Sequence, residues 1–251
     1  MSPQEVTVVV LTRNEAHNVG RLFASIPPGV PVLVVDAQSD DRTVEVAQAF
    51  GATVEIRPWE GFVTTRLYAL SRVETPWTLM LDADEELDAT ARAALIALNT
   101  RTSAAGCRLA RTTFFCGHAI VGCGWGGEHV LRLFRTKRAR LNAHPSGGST
   151  SELHEAWEVD GPVIDLPGRL LHHSYPTLES YRRKYAYYTA IEAAGLSFRL
   201  HALAREVLRA LVRGPWLFIG RDGWRDSWRG VFICIASAWY PVVVQWKAKR
   251  E

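Results

Sequence analysis

The sequence is short of the features that would place it outside the ordinary globular proteins. Its 251 residues hold four cysteines, Cys107, Cys116, Cys123 and Cys234, and no Cys-x-x-Cys pair. Cys116, His118 and Cys123 lie close together, but no second ligand pair follows, so a structural zinc site is not indicated. Buried free thiols in a reducing compartment are the expectation. There is no internal repeat and no low-complexity segment. An apolar fraction of 47% excludes disorder. No basic residue precedes the first apolar run, Val6–Leu11, and that run is too short for a signal-peptide core. The apolar stretch 230–246 is interrupted by Pro241 and is marginal in length for a membrane span. The segment after the first apolar run, Thr12-Arg13-Asn14-Glu15, has no glycine and so cannot be a Gly-rich phosphate loop.

What is present is unevenly distributed. Net charge is +3, yet from Arg199 onward ten Lys and Arg face four acids. Five of the nine tryptophans, Trp216, Trp224, Trp228, Trp239 and Trp246, fall in that same tail. The body is mildly acidic and the tail basic and Trp-rich. The natural division is a body of residues 1–195 and a helical tail of 196–251.

The body alternates strands and helices with short links. Val6–Leu11 is an almost unbroken β-branched run, as in a strand buried on both faces. Further strands are expected at Val32–Val35, Ala52–Ile56 and Trp77–Leu81, with helices at Ala16–Ile26, Thr43–Phe50, Gly61–Val73 and Asp88–Asn99. This pattern predicts a parallel sheet with right-handed crossovers. From about residue 104 shorter, mixed or antiparallel strands are expected over Gly106–Thr113, Phe114–Val121, Val130–Phe134 and Val163–Leu171. Gly122–Gly127 and 144–150 read as loops beside a site. Leu178–Ala194 and Phe198–Val212 are expected helices, the second with Arg205, Arg209 and Arg213 along one side.

Ligands bind beyond the carboxyl ends of strands in open α/β sheets. The first, second and fourth strands end at Thr12, Asp36 and the pair Asp82/Asp84. Two aspartates one residue apart on an extended segment point the same way and can hold a hard divalent cation. The same residues also suit an acidic turn, with Asp88 capping the next helix.

Four ordered segments carry a family resemblance: Leu11-Thr12-Arg13-Asn14-Glu15, Val34 through Thr43, Trp59-Glu60-Gly61-Phe62, and Leu81-Asp82-Ala83-Asp84-Glu85. They resemble the family 2 glycosyltransferases, whose fold is the GT-A type. Gly124-Trp125, Leu131 through Arg135, Leu153-His154-Glu155 and His172-His173-Ser174-Tyr175 are similar to the subgroup containing the lipopolysaccharide core β-1,4-glucosyltransferases. Departures are Arg66-Leu67 where that subgroup has Arg-Asn, and Gly126-Gly127-Glu128 where it has Pro-Asp. The Gln-x-x-Arg-Trp motif of processive synthases is absent.

The resemblance implies an α/β fold: a Rossmann-like mixed sheet flanked by helices, with a C-terminal helical extension. It implies inverting, metal-dependent transfer from a nucleotide-sugar donor to a glycan or lipid-linked acceptor. Asp36 would meet the base or ribose, with Thr12, Glu15 and Asp82 in the same pocket and Arg66 at the diphosphate. Asp84 would hold Mg2+ or Mn2+, with His173 completing the metal or diphosphate site. Glu155 would remove the acceptor proton, with Glu152 and Glu128 as the alternative carboxylates. Arg132 and Arg135 alternate on one strand, facing phosphates or forming a polar strand face. A sugar-phosphate nucleotidyltransferase is the rival enzyme reading, and the missing Gly-rich loop counts against it. A basic membrane-binding module would account for the tail alone, and nucleic acid is not an expected partner. The tail has the composition of an interfacial anchor at the cytoplasmic face of the inner membrane, or of a helix pair packed on the body or on a second copy.

Overall fold

The computed structural model describes residues 2–99, 102–143, 155–194 and 196–249. The loop 144–150 and the residues Leu153 and His154 of the Leu-His-Glu motif lie outside them. The first elements are strand β1 (Val6–Thr12), helix α1 (Ala16–Ser25), β2 (Val32–Asp36), α2 (Thr43–Ala49), β3 (Thr53–Ile56), α3 (Phe62–Ser71) and β4 (Trp77–Asp82). Then come β5 (Glu85–Leu87), α4 (Ala89–Ala97), β6 (Gly106–Phe115), β7 (His118–Ala119), β8 (His129–Arg135), β9 (Ala139–Ala143), β10 (Glu155–Val159) and β11 (Val163–Tyr175). Helices α5 (Leu178–Ala194), α6 (Leu200–Pro215) and α7 (Ser227–Lys247) complete the chain. The α/β fold implied by the resemblance is the one observed: a mixed sheet flanked by helices, with a helical C-terminal extension.

The sheet runs β3-β2-β1-β4-β8-β6-β11-β5, with β7 paired to β6. The first four strands are parallel, as their alternation with helices requires. Strand β8 is antiparallel to β4 and to β6. A separate antiparallel pair joins β9 and β10, which the sequence pattern did not indicate. The expected break between the strands around Thr113 falls later. Cys116 and Gly117 both have positive φ, 48° and 73°, and so form a two-residue turn that returns β7 along β6.

Two compact units are present. The first comprises Met1–Arg111, His129–Ala143 and Glu155–His172. Its core follows from strand alternation. Val8, Val10, Val34, Leu79 and Leu81 face α1, α2 and α4 through Val19, Leu22, Ala47, Ala91 and Leu95. Val9, Leu33, Val35 and Met80 face the other way, towards Ala69 of α3 and Trp157 of β10. Every one of these strand residues is at most 7% exposed, so the continuous apolar runs reflect burial on both faces. Gly168 in β11 adopts φ 91°, and a Cβ there would sit 2.1 Å from the Ala91 amide nitrogen, so only glycine lets the strand approach α4.

Among the described residues the second unit comprises Thr112–Glu128, 173–194 and 196–249. Its core joins Phe115, Ile120 and Cys123 to Tyr181 of α5, to Leu217, and to Ile233 and Cys234 of α7. This core draws on residues from both sides of position 195. All four cysteines are free thiols, as expected. Helix α7 continues through Pro241, which the sequence reading took as an interruption. A proline inside a helix costs about 3 kcal/mol. Here Ala238 and Val242 pack on Ala210 of α6, and Val244 packs on Ala193 of α5, so the helix is held on both sides of the proline.

Candidate functional site

The ends of β2, β1 and β4 lie side by side in the first unit. Thr12 is register partner to Asp36, and Leu11 is register partner to both Val35 and Asp82. The parallel register thus brings three polar strand ends to one edge, where the sequence placed them.

Asp36 is fully buried. Its Oδ2 accepts from Thr12 Oγ1 at 2.7 Å and from Ser39 Oγ at 2.6 Å, and its Oδ1 accepts from the Ser39 amide at 2.7 Å. Ser39 Oγ also accepts from the Asn14 amide, and Asn14 Oδ1 accepts from the Asp40 amide. Asn14 and Gln38 hold left-handed φ values of 57° and 56° to make these loops fit. Glu15 belongs to the same stitching: its amide donates to Thr43 Oγ1 and its carboxylate accepts from Asn18. Asp36 is the anchor that binds the loop after β1 to the loop after β2. Ser39, which lies in a segment that carries the family resemblance, closes this network by holding both oxygens of Asp36.

A second cluster lies at the end of β4. Arg66 Nη2 reaches Asp82 Oδ1 at 3.1 Å, and Arg132 Nη2 reaches Asp82 Oδ2 at 2.6 Å. Arg132 Nη2 also meets Glu85 Oε1 at 2.5 Å, while Glu85 Oε2 accepts from the Asp82 amide at 3.0 Å. The surrounding protein would raise the Asp82 pKa, but Arg132 and Arg66 together hold its carboxyl well below the usual carboxylate range. Glu85 is fully buried, and burial, helped by the charge on Asp82, pushes it up despite Arg132. Asp82 is thus the ionised partner of two guanidinium groups, those of Arg132 and Arg66. Glu85 is the last residue of the Leu81–Glu85 segment that carries the family resemblance. Its alternation with the buried Leu87 along β5 is the signal that marks it as inward-facing.

Asp84 lies in the turn between β4 and β5, and both it and its partner histidine are largely buried. His172 Nε2 stands 3.3 Å from Asp84 Oδ1, because β11 pairs with β5 so that His172 opposes Glu85. His173, the histidine named from sequence, belongs to the second unit and stacks on Phe114 with ring centroids 4.8 Å apart. Successive residues of a strand face opposite ways, so only one of the pair can face Asp84. Among the described residues no group of three His, Cys, Asp or Glu side chains is arranged to hold a metal. Asp84 and His172 offer one oxygen and one nitrogen donor of the kinds that divalent ions accept, whereas both Asp82 oxygens are already matched to arginines.

Arg135 donates to the carbonyls of Thr102 and Ala104 and lies over the Trp77 ring at 4.7 Å, which makes it part of the frame. Arg132 is the member of that pair that enters the acidic cluster. Glu155 opens β10, where its backbone pairs with Ala143.

Residues 7–113 match the family model described as Glycosyl transferase family 2. An uncharacterized glycosyltransferase of Rickettsia felis is 39% identical over 85 residues, 34% of this chain and 30% of that protein. Over most of the chain, an uncharacterized glycosyltransferase of Rickettsia typhi is 25% identical, covering 89% of this chain and 82% of that one. The first alignments span only about a third of those relatives' length. Among solved structures, the mannosyltransferase PcManGT from Pyrobaculum calidifontis, in complex with GDP-Man and Mn2+, is similar with a TM-score of 0.48 and 14% identity. That alignment covers 98% of this chain and 72% of that one. The chain is thus similar to glycosyltransferases, with the family 2 match confined to residues 7–113.

Proposed function

We propose that the chain is a family 2 glycosyltransferase that moves a sugar from a nucleotide diphosphate donor to a hydroxyl of a cell-envelope glycan or lipid-linked acceptor. A UDP-hexose is the proposed donor, and a lipopolysaccharide core sugar is the kind of acceptor the sequence resemblance favours. The reaction is an inverting displacement at the cytoplasmic face of the inner membrane. The observation that carries this reading is the alignment of Thr12, Asp36 and Asp82 at the ends of three adjacent parallel strands, inside the region that matches the family model.

In this reading the stitched loops anchored on Asp36 form the nucleoside side of the donor pocket, with Thr12, Ser39 and Glu15 fixing their shape. Arg66 exchanges its bond to Asp82 for the donor diphosphate, where a planar guanidinium suits two phosphate oxygens. Arg132 keeps Asp82 ionised whether or not Arg66 leaves. Asp84, with His172 beside it, would hold Mg2+ or Mn2+, and donor phosphates and water would complete the shell. Bound there, the ion would neutralise charge building on the departing diphosphate. Glu155 is the proposed base for the acceptor hydroxyl, a role that needs a carboxylate within hydrogen-bond reach of that proton.

The test is a thermal-shift screen of UDP-, GDP-, dTDP- and CMP-sugars, each with and without Mn2+. Stabilisation by one nucleotide class that grows with Mn2+ is the expected result. No shift with any donor at concentrations far above ordinary affinities would remove the reading.

A further inference from the structure

The second unit carries an apolar surface that neither its own core nor the proposed chemistry uses. On α6 the residues Leu203, Val207 and Ala210 pack with Ala238 and Val242 of α7. A second apolar row runs along the same helix at spacings of three and four: Leu208, Leu211, Val212 and, in the following turn, Ile219. Leu208, Val212 and Ile219 are 67%, 72% and 73% exposed. Large aliphatic side chains at that exposure, in one line, are not the scatter expected of a surface that meets only water. Helix α7 repeats the pattern with Trp228, Val231, Ile235, Trp239 and Trp246, all exposed.

The two rows share one side of the pair. Leu211 and Pro215 of α6 line a single hollow together with Val231, Ile235 and Trp239 of α7. Arg205, Arg209 and Arg213 flank the α6 row on its other side. At the turn between the helices Arg221 lies over the Trp216 ring at 5.1 Å. Aliphatic side chains and tryptophans bordered by arginines match the boundary between acyl chains and anionic head groups.

Two other occupants fit less well. By length and composition Gly223–Lys247 could cross a membrane. Its inner side, however, is taken up by Ile233, Cys234, Ala238, Val242 and Val244 in three protein clusters. A crossing helix would have to abandon those contacts. A second copy docked by this face would bring one row of arginines to another, and among the described acids of the tail only Asp222 is exposed. In the tail Asp226 is buried, and Glu206 is already bound to Arg205 and Arg209.

We propose that the joined outer faces of α6 and α7 lie in the plane of an anionic lipid bilayer, with the Leu208–Ile219 row and the α7 tryptophans in the acyl boundary and the flanking arginines on the head groups. The test uses the full chain and flotation with vesicles of phosphatidylcholine alone or mixed with phosphatidylglycerol. The wild type is expected to float with the mixed vesicles, to do so less with pure phosphatidylcholine, and to be released by high salt. The double variant Val212→Glu/Ile219→Glu alters only exposed positions, so circular dichroism and melting should match the wild type while the vesicle-bound fraction falls about tenfold or more. Two outcomes overturn the proposal: wild type that stays unbound with phosphatidylglycerol vesicles, or a folded double variant that floats as well as the wild type. Light scattering without vesicles is the third arm. A dimer that the double variant dissolves would assign this face to a second copy instead.

Discussion

Arg132 of β8 and Glu85 of β5 meet at 2.5 Å, and both side chains are buried. The same guanidinium nitrogen holds Asp82 at 2.6 Å, so one arginine serves two carboxylates. Asp82 is drawn well below its ordinary value of 3.8, and Glu85 is displaced upward from 4.5 by burial and by the charge on Asp82. The protein has placed the negative charge on the residue at the strand end and eased it off the residue behind.

Arg132→Leu would leave Asp82 with Arg66 alone and would strand Glu85, so it should lower stability by about 3–5 kcal/mol, the usual size for breaking a buried pair. Urea unfolding at neutral pH measures it.

The pH dependence separates the two acids. A carboxyl raised in the folded state contributes stability while protonated and loses it as pH rises past the unfolded value of 4.5. Glu85→Gln removes that titration, so the stability of the variant relative to wild type should increase between pH 4.5 and neutrality. Asp82 acts in the opposite sense: its contribution is present above 3.8 and is lost as pH falls below it. A flat difference between variant and wild type across that range would show that Glu85 is not displaced.

Much of this site was legible in the chain, and the limits are physical. Hydrophobic runs that end in polar residues marked β1, β2 and β4 and their ends, because strands buried on both faces leave no other pattern, whereas β3 is a half-exposed edge strand. Short antiparallel pairing left little trace: β5 is three residues long, and β9 and β10 are five residues each. Without β5 there was no way to see Glu85 turn inward, and without its pairing to β11 no way to choose between His172 and His173. The tail read correctly as basic and Trp-rich, but its internal packing depends on contacts with α5 and with Phe115 that no local periodicity carries.

Thr12 gives a third test. Thr12→Val keeps the shape of the side chain and removes one of three hydrogen bonds to the buried Asp36 carboxylate. Loss of a bond to a charged group costs about 1.5–3 kcal/mol. Because Ser39 still holds both oxygens, the lower end is expected, with weaker stabilisation by nucleotide-sugar as the loops loosen. Chemical denaturation gives the first quantity and the thermal shift with donor gives the second.

Asp84→Ala should remove the part of the donor thermal shift that depends on Mn2+ while leaving the melting temperature without ligand near that of wild type. His172→Phe should weaken the same metal dependence less, since an oxygen donor is the harder match for these ions. His173→Phe is the control: on its stacked position over Phe114 an aromatic ring is retained, and metal dependence should be unchanged. If His173→Phe alone abolished the Mn2+ effect, the imidazole beside Asp84 would be the wrong one.

Glu155→Gln tests the proposed base with little change of shape. The side-chain amide cannot accept the acceptor proton, so turnover should fall by about 10²–10⁴, the range of general-base contributions. Binding of the nucleotide-sugar with Mn2+ should persist, because the proposed role of Glu155 is on the acceptor hydroxyl and not on the donor. Equal losses of donor binding and turnover would place Glu155 in the donor pocket. Unchanged turnover with a measured acceptor would transfer the role to another carboxylate, which a scan of Glu128 and Glu152 would then identify.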